Sequence, residues 1–113
     1  MIAALTRWAA AFALTQLVEM PIYVRALGRR RQRFAIAFTA SAITHPIIWF
    51  VVPALWMGRS YVAMAVASEA FAVLAESVWL ARFDVRRALA WSFAANAASV
   101  CVGLAVRAVF GWP

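Results

Sequence analysis

The chain has 113 residues, of which 67% are hydrophobic and only 13% are charged, and its mean hydropathy is +0.85. A soluble domain is nearer half apolar and covers its surface with more charge, so the composition excludes an ordinary soluble domain. The net charge of +7 comes from arginines at the ends of apolar runs rather than on one solvated face, which argues against a nucleic-acid-binding protein.

The apolar residues form four blocks, each long enough to cross the ~30 Å hydrocarbon core of a bilayer. The first, 2–24, is predicted to be an uncleaved span, and the others cover 34–56, 61–81 and 88–110. Because the connections are short, neighbouring helices are expected to be antiparallel. The sequence therefore predicts an all-α integral membrane protein with one domain, 1–113, built as a four-transmembrane-helix antiparallel bundle.

The arginines predict an orientation for this bundle. The first and third connections hold eight arginines, whereas the opposite ends hold only Arg7, Arg59 and Arg107. Because basic loops remain in the cytoplasm, we expect a multi-pass protein of the inner (cytoplasmic) membrane. Both termini would lie outside, and the connections between spans 1–2 and 3–4 would be cytoplasmic. Tyr23 and Trp79 are assigned to the aromatic belt at the cytoplasmic interface.

A faint internal repeat relates the two halves of the chain. Glu19 precedes Arg25 by six residues, and Glu76 precedes Arg82 by the same interval. The chain could thus consist of two pseudo-repeated helical hairpins, as in parallel-repeat transporters. Chance spacing in an arginine-rich chain is the alternative.

Six polar residues inside the spans are the candidate site. An ionisable side chain in a span costs about 2.5–3.5 kcal/mol on insertion scales and usually faces the bundle interior. Counting ~1.5 Å per residue from the cytoplasmic helix ends separates the six into two layers. The inner layer comprises Glu19, Glu76 and Asn96, and the central layer comprises His45, Glu69 and Ser99.

These residue types favour the binding or translocation of protons or another cation. Glu19 and Glu76 facing each other in a low dielectric would not both ionise, so one would hold a proton near neutral pH. His45 beside Glu69 could carry that proton further across the membrane. Pro21 and Pro46 each free a helical carbonyl that could bind a cation or water, although ordinary kinks explain them equally well.

Three other functions remain open. Glu19, His45, Glu69 and Glu76 are suitable ligands for a divalent metal, although the sequence lacks the ligand spacings of known metal helices. A metal-dependent or lipid-acting enzyme within the membrane is one alternative. A structural subunit, with polar residues that only hold helices together, is another.

The expected partners are the lipid bilayer and further protein, with no nucleic acid. Small residues at four-residue spacing in the last span allow close helix approach, which is compatible with a homo-oligomer or a subunit of a membrane complex. Anionic lipid head groups could bind Arg29, Arg30 and Arg31, or these residues could serve only to set the topology.

In size and number of predicted spans the chain is similar to the small multidrug resistance transporters, which use a glutamate in the first span. Glu19 lies near the end of its span rather than centrally, and the charge bias between the two sides is strong. The additional His45, Glu69 and Glu76 also depart from that pattern. The chain is therefore not assigned to that family.

Overall fold

The protein is entirely helical in the computed structural model, which describes all 113 residues. The last two long helices, Tyr61–Ala81 and Ala88–Phe110, have the bounds expected for the last two spans. The elements in chain order are α1 (Ile2–Leu27), α2 (Arg33–Pro46), a π-helical turn (Ile47–Val51), α3 (Val52–Leu55), α4 (Tyr61–Ala81) and α5 (Ala88–Phe110).

The four long helices form a ring in which α1 and α4 each pack against both α2 and α5. The molecule measures 42 × 26 × 23 Å. The connections 28–32 and 82–87 touch each other at one end, called here the basic end. The chain termini and the connection 56–60 lie at the opposite end, the termini end. Sequential helices are therefore antiparallel.

Three helical segments are long and apolar enough to cross a membrane: Arg33–Leu55, Tyr61–Ala81 and Ala88–Phe110. α1 has sufficient length but is the more polar helix, because Gln16 and Glu19 interrupt it. The expectation of a membrane protein therefore rests on three apolar helices, and the expected count of four spans is not confirmed.

The distribution of polarity is inverted relative to a soluble protein. Only 18 of the 113 residues are buried, and eight of these are polar or charged. Leu17, Leu74, Phe93 and Leu104 point outward with more than half of their surface exposed. An apolar exterior around a polar interior suits a lipid environment, in which the polar groups must find partners inside the protein.

Each helix presents its polar side chains inward because they recur at helical spacing. The buried residues of α1 are Gln16, Glu19, Tyr23 and Leu27, at intervals of three and four. In α4, the buried Ser68, Ala72, Glu76 and Leu80 follow strict four-residue steps. These two stripes face each other across the ring and line its centre.

A π-helical turn interrupts the second span between two prolines. It begins directly after Pro46 and ends before Pro53, and the amide of Val52 donates to the carbonyl of Ile47, five residues back. Proline lacks an N–H and disturbs the preceding turn, so a widened turn at this point has a local cause. The turn brings Ile48 and Trp49 to the polar interior.

Both connections at the basic end use left-handed backbone conformations. Gly28 has φ 64° where α1 ends, and Asp84 has φ 61° three residues after α4. Gln32 and Arg87, with φ 63° and 57°, directly precede α2 and α5. The two helical hairpins therefore reverse the chain with similar backbone geometry.

Candidate functional site

A pair of buried carboxyl groups lies at the centre of the bundle. Glu19 of α1 and Glu76 of α4 are each 2% exposed. The carboxyl groups of these diagonally opposed helices lie within hydrogen-bonding reach of each other. Neither forms an ion pair with an arginine or with His45; their hydrogen-bond partners are neutral. Two adjacent carboxyl groups without a cationic partner are costly to ionise together in a low dielectric.

Glu76 accepts hydrogen bonds from three neutral donors. The Tyr23 hydroxyl donates to Oε1 at 2.6 Å, and the Thr44 hydroxyl donates to Oε2 at 2.7 Å. The Asn96 side-chain amide also donates to Oε1, at 3.3 Å. These donors come from α1, α2 and α5, so Glu76 on α4 connects all four long helices. Donors of this kind stabilise the ionised form of a carboxyl group.

Glu19 has a weaker set of donors. Ser41 donates to its Oε1 at 3.2 Å, and the Ser99 hydroxyl lies near the same carboxyl group. Glu76 therefore receives more and shorter hydrogen bonds than Glu19 does.

Tyr23 lies in this network and not in an aromatic belt, which corrects the assignment made from the sequence. Its side chain is fully buried, and its hydroxyl also lies 3.3 Å from the Asn96 amide. The sequence did contain a signal, because Tyr23 lies one helical turn after Glu19 on the same face. Thr44, three residues after Ser41, was not selected from the sequence, because hydroxyl-bearing residues in spans are usually only structural.

We expect Tyr23→Phe to lower the free energy of unfolding by about 1–2 kcal/mol, since it removes one short hydrogen bond but keeps the ring. Unfolding in mixed micelles, followed by circular dichroism, measures this change. Tyr61→Phe is the control, because Tyr61 is exposed and makes no side-chain hydrogen bond. Equal stability of the Tyr23→Phe variant and the wild type would mean that the Tyr23–Glu76 bond contributes nothing net.

A polar cavity of about 90 Å³ adjoins the carboxyl pair. A water molecule needs roughly 10–15 Å³ by this measure, so the cavity has room for a few. All six polar residues selected from the sequence line it: Glu19, His45, Glu69, Glu76, Asn96 and Ser99.

The two predicted layers are connected within this cavity rather than separate. Ser99, expected in the central layer with His45 and Glu69, instead interacts with Glu19 of the inner layer. His45 and Glu69 face the same cavity, but no hydrogen bond joins them. The depth count identified the residues that share a cavity, while their pairing depends on rotamers that a count cannot supply.

His45 lies at the cavity wall among aromatic side chains. Its Nε2 shares a 3.4 Å hydrogen bond with the Thr15 hydroxyl, whereas Nδ1 is buried without a partner. The Trp49 ring stacks on the imidazole at 6.0 Å, and Trp8 and Phe12 pack beside it. The neighbours of His45 are thus apolar or hydroxylic, and none is a charge partner.

A larger space of about 270 Å³, the vestibule, continues from the polar cavity to the termini end. Tyr61, Arg107 and Pro113 lie at its far side. The polar cavity therefore adjoins the vestibule on the side of the termini end. The two spaces share five lining residues: Thr15, His45, Trp49, Glu69 and Ser99.

The basic end is closed. Between the carboxyl pair and the basic end, buried apolar side chains from all four long helices and from the connection 82–87 fill the bundle. Arg30 then joins the two basic connections: its guanidinium donates to the carbonyls of Phe83 at 2.6 Å, Leu27 at 2.7 Å and Asp84 at 2.8 Å. We call this contact the arginine clasp. The buried apolar residues are Tyr23, Leu27, Ile36, Ala37, Ala40, Leu80, Val85, Ala88 and Ala95.

The clasp distinguishes Arg30 from its neighbours. Arg29 and Arg31 are exposed and available to lipid head groups, whereas the guanidinium of Arg30 is already bound to three carbonyls. The sequence predicted the same role for all three arginines, because nothing in an arginine run indicates which side chain turns inward.

The candidate metal ligands do not assemble into a metal site in this structure. Glu19, His45, Glu69 and Glu76 line one cavity, but no group of three His, Cys, Asp or Glu side chains could hold a metal ion.

No protein-family model matches the chain, and no relative was found among curated proteins or solved structures. The function is therefore inferred from the geometry alone.

Proposed function

We propose that the protein binds protons at the Glu19–Glu76 pair and translocates them, or another small cation, across the inner membrane. One observation carries this proposal. Two buried carboxyl groups without a cationic partner lie at the closed end of a polar cavity that is open toward the termini end. Neutral hydrogen bonds alone could hold four helices together at lower cost, so two adjacent carboxyl groups favour a function that uses their charge.

In this proposal α1 is the fourth span. At ~1.5 Å per residue its 26 residues are about 39 Å long, sufficient to cross the bilayer. Its polar side chains face the other helices, so its polarity need not be exposed to lipid. The excess of arginine then orients the basic end toward the cytoplasm, with both termini outside.

The proposed route begins in the vestibule. A proton entering from the termini end meets Glu69, which lines both the vestibule and the polar cavity. Water in the cavity relays it to the carboxyl pair, where Glu19 and Glu76 share it. Onward transfer requires the apolar seal and the arginine clasp at the basic end to open.

A repeat of two hairpins would supply that movement. The α1–α2 and α4–α5 hairpins each carry one carboxyl of the pair, and each reverses through left-handed residues at the basic end. Rocking of one hairpin against the other would separate Phe83 and Asp84 from Arg30. Pro21, two residues after Glu19, weakens α1 at the level at which this movement is needed.

The test is proton flux in proteoliposomes that contain a pH-sensitive dye and are energised by a potassium diffusion potential. We expect wild-type flux above that of protein-free liposomes, and a reduction of about tenfold or more in Glu19→Gln and in Glu76→Gln. Asp84→Asn is the matched control, because Asp84 is an exposed acid in a basic connection. Wild-type flux equal to that of empty liposomes, or undiminished flux in both glutamine variants, would overturn the proposal.

The structural-subunit alternative is supported by one observation. Seven of the eight buried polar residues form side-chain hydrogen bonds that together connect all four long helices, and such a network could serve only to hold the bundle together. This alternative predicts that the glutamine variants change stability while neither they nor the wild type conduct protons. An oligomer or a membrane complex, proposed from the exposed apolar helix faces, is compatible with either function.

A further inference from the structure

We propose a second binding site, for an amphiphilic organic cation, in a cleft beside the carboxyl pair. This side cleft lies between the π-helical turn and α3 on one side and α4 on the other, and has a volume of about 310 Å³. That volume is at the lower end of the range for small-molecule sites. It is lined by Ile48, Trp49, Pro53, Tyr61, Met64, Ala65, Ser68 and Glu69.

Glu69 supplies the charge that selects a cation. It is the only acidic residue of the cleft, and its carboxylate accepts no hydrogen bond, in contrast to the carboxyl of Glu76 with its three donors. Glu69 is half-buried, about 12 Å from the start of α4 at ~1.5 Å per residue. A carboxylate at that depth with no local partner favours a cationic ligand, which would compensate its charge.

The remaining walls select an organic cation rather than a metal ion. Trp49 and Tyr61 supply aromatic side chains, a residue type that attracts alkylammonium groups, and Ile48, Pro53 and Met64 are apolar. A metal ion would need several oxygen or nitrogen ligands to replace its water, and a single carboxylate does not provide them. A cation whose charge is covered by apolar substituents matches both the charge and the walls.

The location indicates how such a ligand arrives. Tyr61 at the first turn of α4 is 68% exposed and lies at the termini end, where a membrane meets water. Amphiphilic cations accumulate at that level, with the charged group in the polar layer and the apolar part in the hydrocarbon. The widened turn after Pro46 carries Ile48 and Trp49, so the local irregularity of the second span shapes the cleft.

The inference does not depend on proton translocation, since neither Glu19 nor Glu76 lines the side cleft. Ile48, Trp49 and Glu69 line both the cleft and the polar cavity, so the two proposals are distinguished by what is measured. Binding is measured at equilibrium without a gradient, whereas the proposed function is measured as flux in the Glu19 and Glu76 variants. A protein that binds the cation but conducts no protons would keep this inference and lose the proposed function.

The experiment is equilibrium binding of radiolabelled benzyltrimethylammonium to the protein in lipid nanodiscs, corrected for binding to empty nanodiscs. We expect saturable binding that neopentylbenzene, the neutral compound of the same shape, does not displace. Glu69→Gln should weaken binding by about tenfold or more, because it removes the charge and keeps the shape. Trp49→Leu should weaken it by about three- to tenfold, and Trp49→Phe should retain most of it.

Asp84→Asn is the control for removal of a carboxylate outside the cleft and should bind as the wild type does. Circular dichroism and size-exclusion chromatography establish that each variant is folded before binding is compared. Binding that does not saturate, equal displacement by neopentylbenzene, or wild-type affinity in Glu69→Gln would each overturn the assignment.

Discussion

Glu76→Ala is expected to lower the free energy of unfolding by about 3–5 kcal/mol, the largest effect of any single substitution considered. The substitution removes the acceptor shared by Tyr23, Thr44 and Asn96, and each of these donors is buried. Thr44 and Asn96 keep main-chain acceptors and border the polar cavity, whereas the buried Tyr23 hydroxyl loses its acceptor and the removed side chain leaves a void. Unfolding in mixed micelles at constant lipid and detergent composition measures the loss.

Comparison with Glu76→Gln separates charge from hydrogen bonding. Glutamine keeps an oxygen for Tyr23 and Asn96, and its amide, in place of Oε2, can donate to the Thr44 hydroxyl, which retains main-chain acceptors; we therefore expect it to cost less than about 1 kcal/mol. Ser77→Ala on the same turn of α4 is the control, since the Ser77 hydroxyl forms no hydrogen bond. Adding Tyr23→Phe to Glu76→Ala should cost little more, because the bond is already lost. A loss below about 1 kcal/mol in Glu76→Ala would show that the network relaxes around the missing carboxyl.

Arg30→Met is expected to lower the free energy of unfolding by about 2–3 kcal/mol, through loss of the arginine clasp. Three hydrogen bonds from a charged guanidinium would be lost, partly offset because the site is only half-buried. The methionine keeps the length of the side chain and its apolar stem. Amide hydrogen exchange should report the change locally, with faster exchange at Phe83 and Val85, whose amides close the turn after α4.

Arg29→Met is the control with the same change in charge, because Arg29 is exposed and forms no hydrogen bond. It should change stability by less than about 0.5 kcal/mol. If Arg29→Met and Arg30→Met were equally destabilised, the effect would come from the net charge of the connection and not from the clasp. In proteoliposomes the proposed function adds an expectation: an unclasped basic end should raise the basal proton leak.

The polar interior could be found from the sequence because two simple quantities determine it. The depth of a residue in the membrane follows from its position along the helix at a fixed rise per residue, and the helix face on which it lies follows from helical phase. Glu19, Glu76 and Asn96 could therefore be placed together from the sequence alone. Exposing an ionisable side chain to lipid is costly, so these side chains are expected to face the bundle interior. The same reasoning was too coarse for Ser99, which it assigned to the central layer although its hydroxyl lies near Glu19.

Other features were not accessible in this way, for physical reasons. Tyr23 has a chemistry that suits both an interface and a buried network, and composition alone does not choose between them. The inward turn of Arg30 depends on the backbone of a connection 53 residues further along the chain. The π-helical turn could be suspected from Pro46 and Pro53, but kinks, π turns and breaks share that signal. The count of four spans is not confirmed because α1, which carries Gln16 and Glu19 on its inward face, is less apolar than the other three segments.

The arginine clasp also predicts an asymmetric tolerance to mutation. Arg30 binds only main-chain carbonyls, so the side chains of Leu27, Phe83 and Asp84 are not recognised by it. The connection 82–87 can therefore drift in sequence while the clasp persists, provided that position 84 keeps a residue that accepts φ near 61°, such as Asp, Asn or Gly. The arginine itself has no such freedom, because lysine lacks the planar fork that reaches three carbonyls at once. Among homologues, we expect an invariant arginine opposite a variable loop.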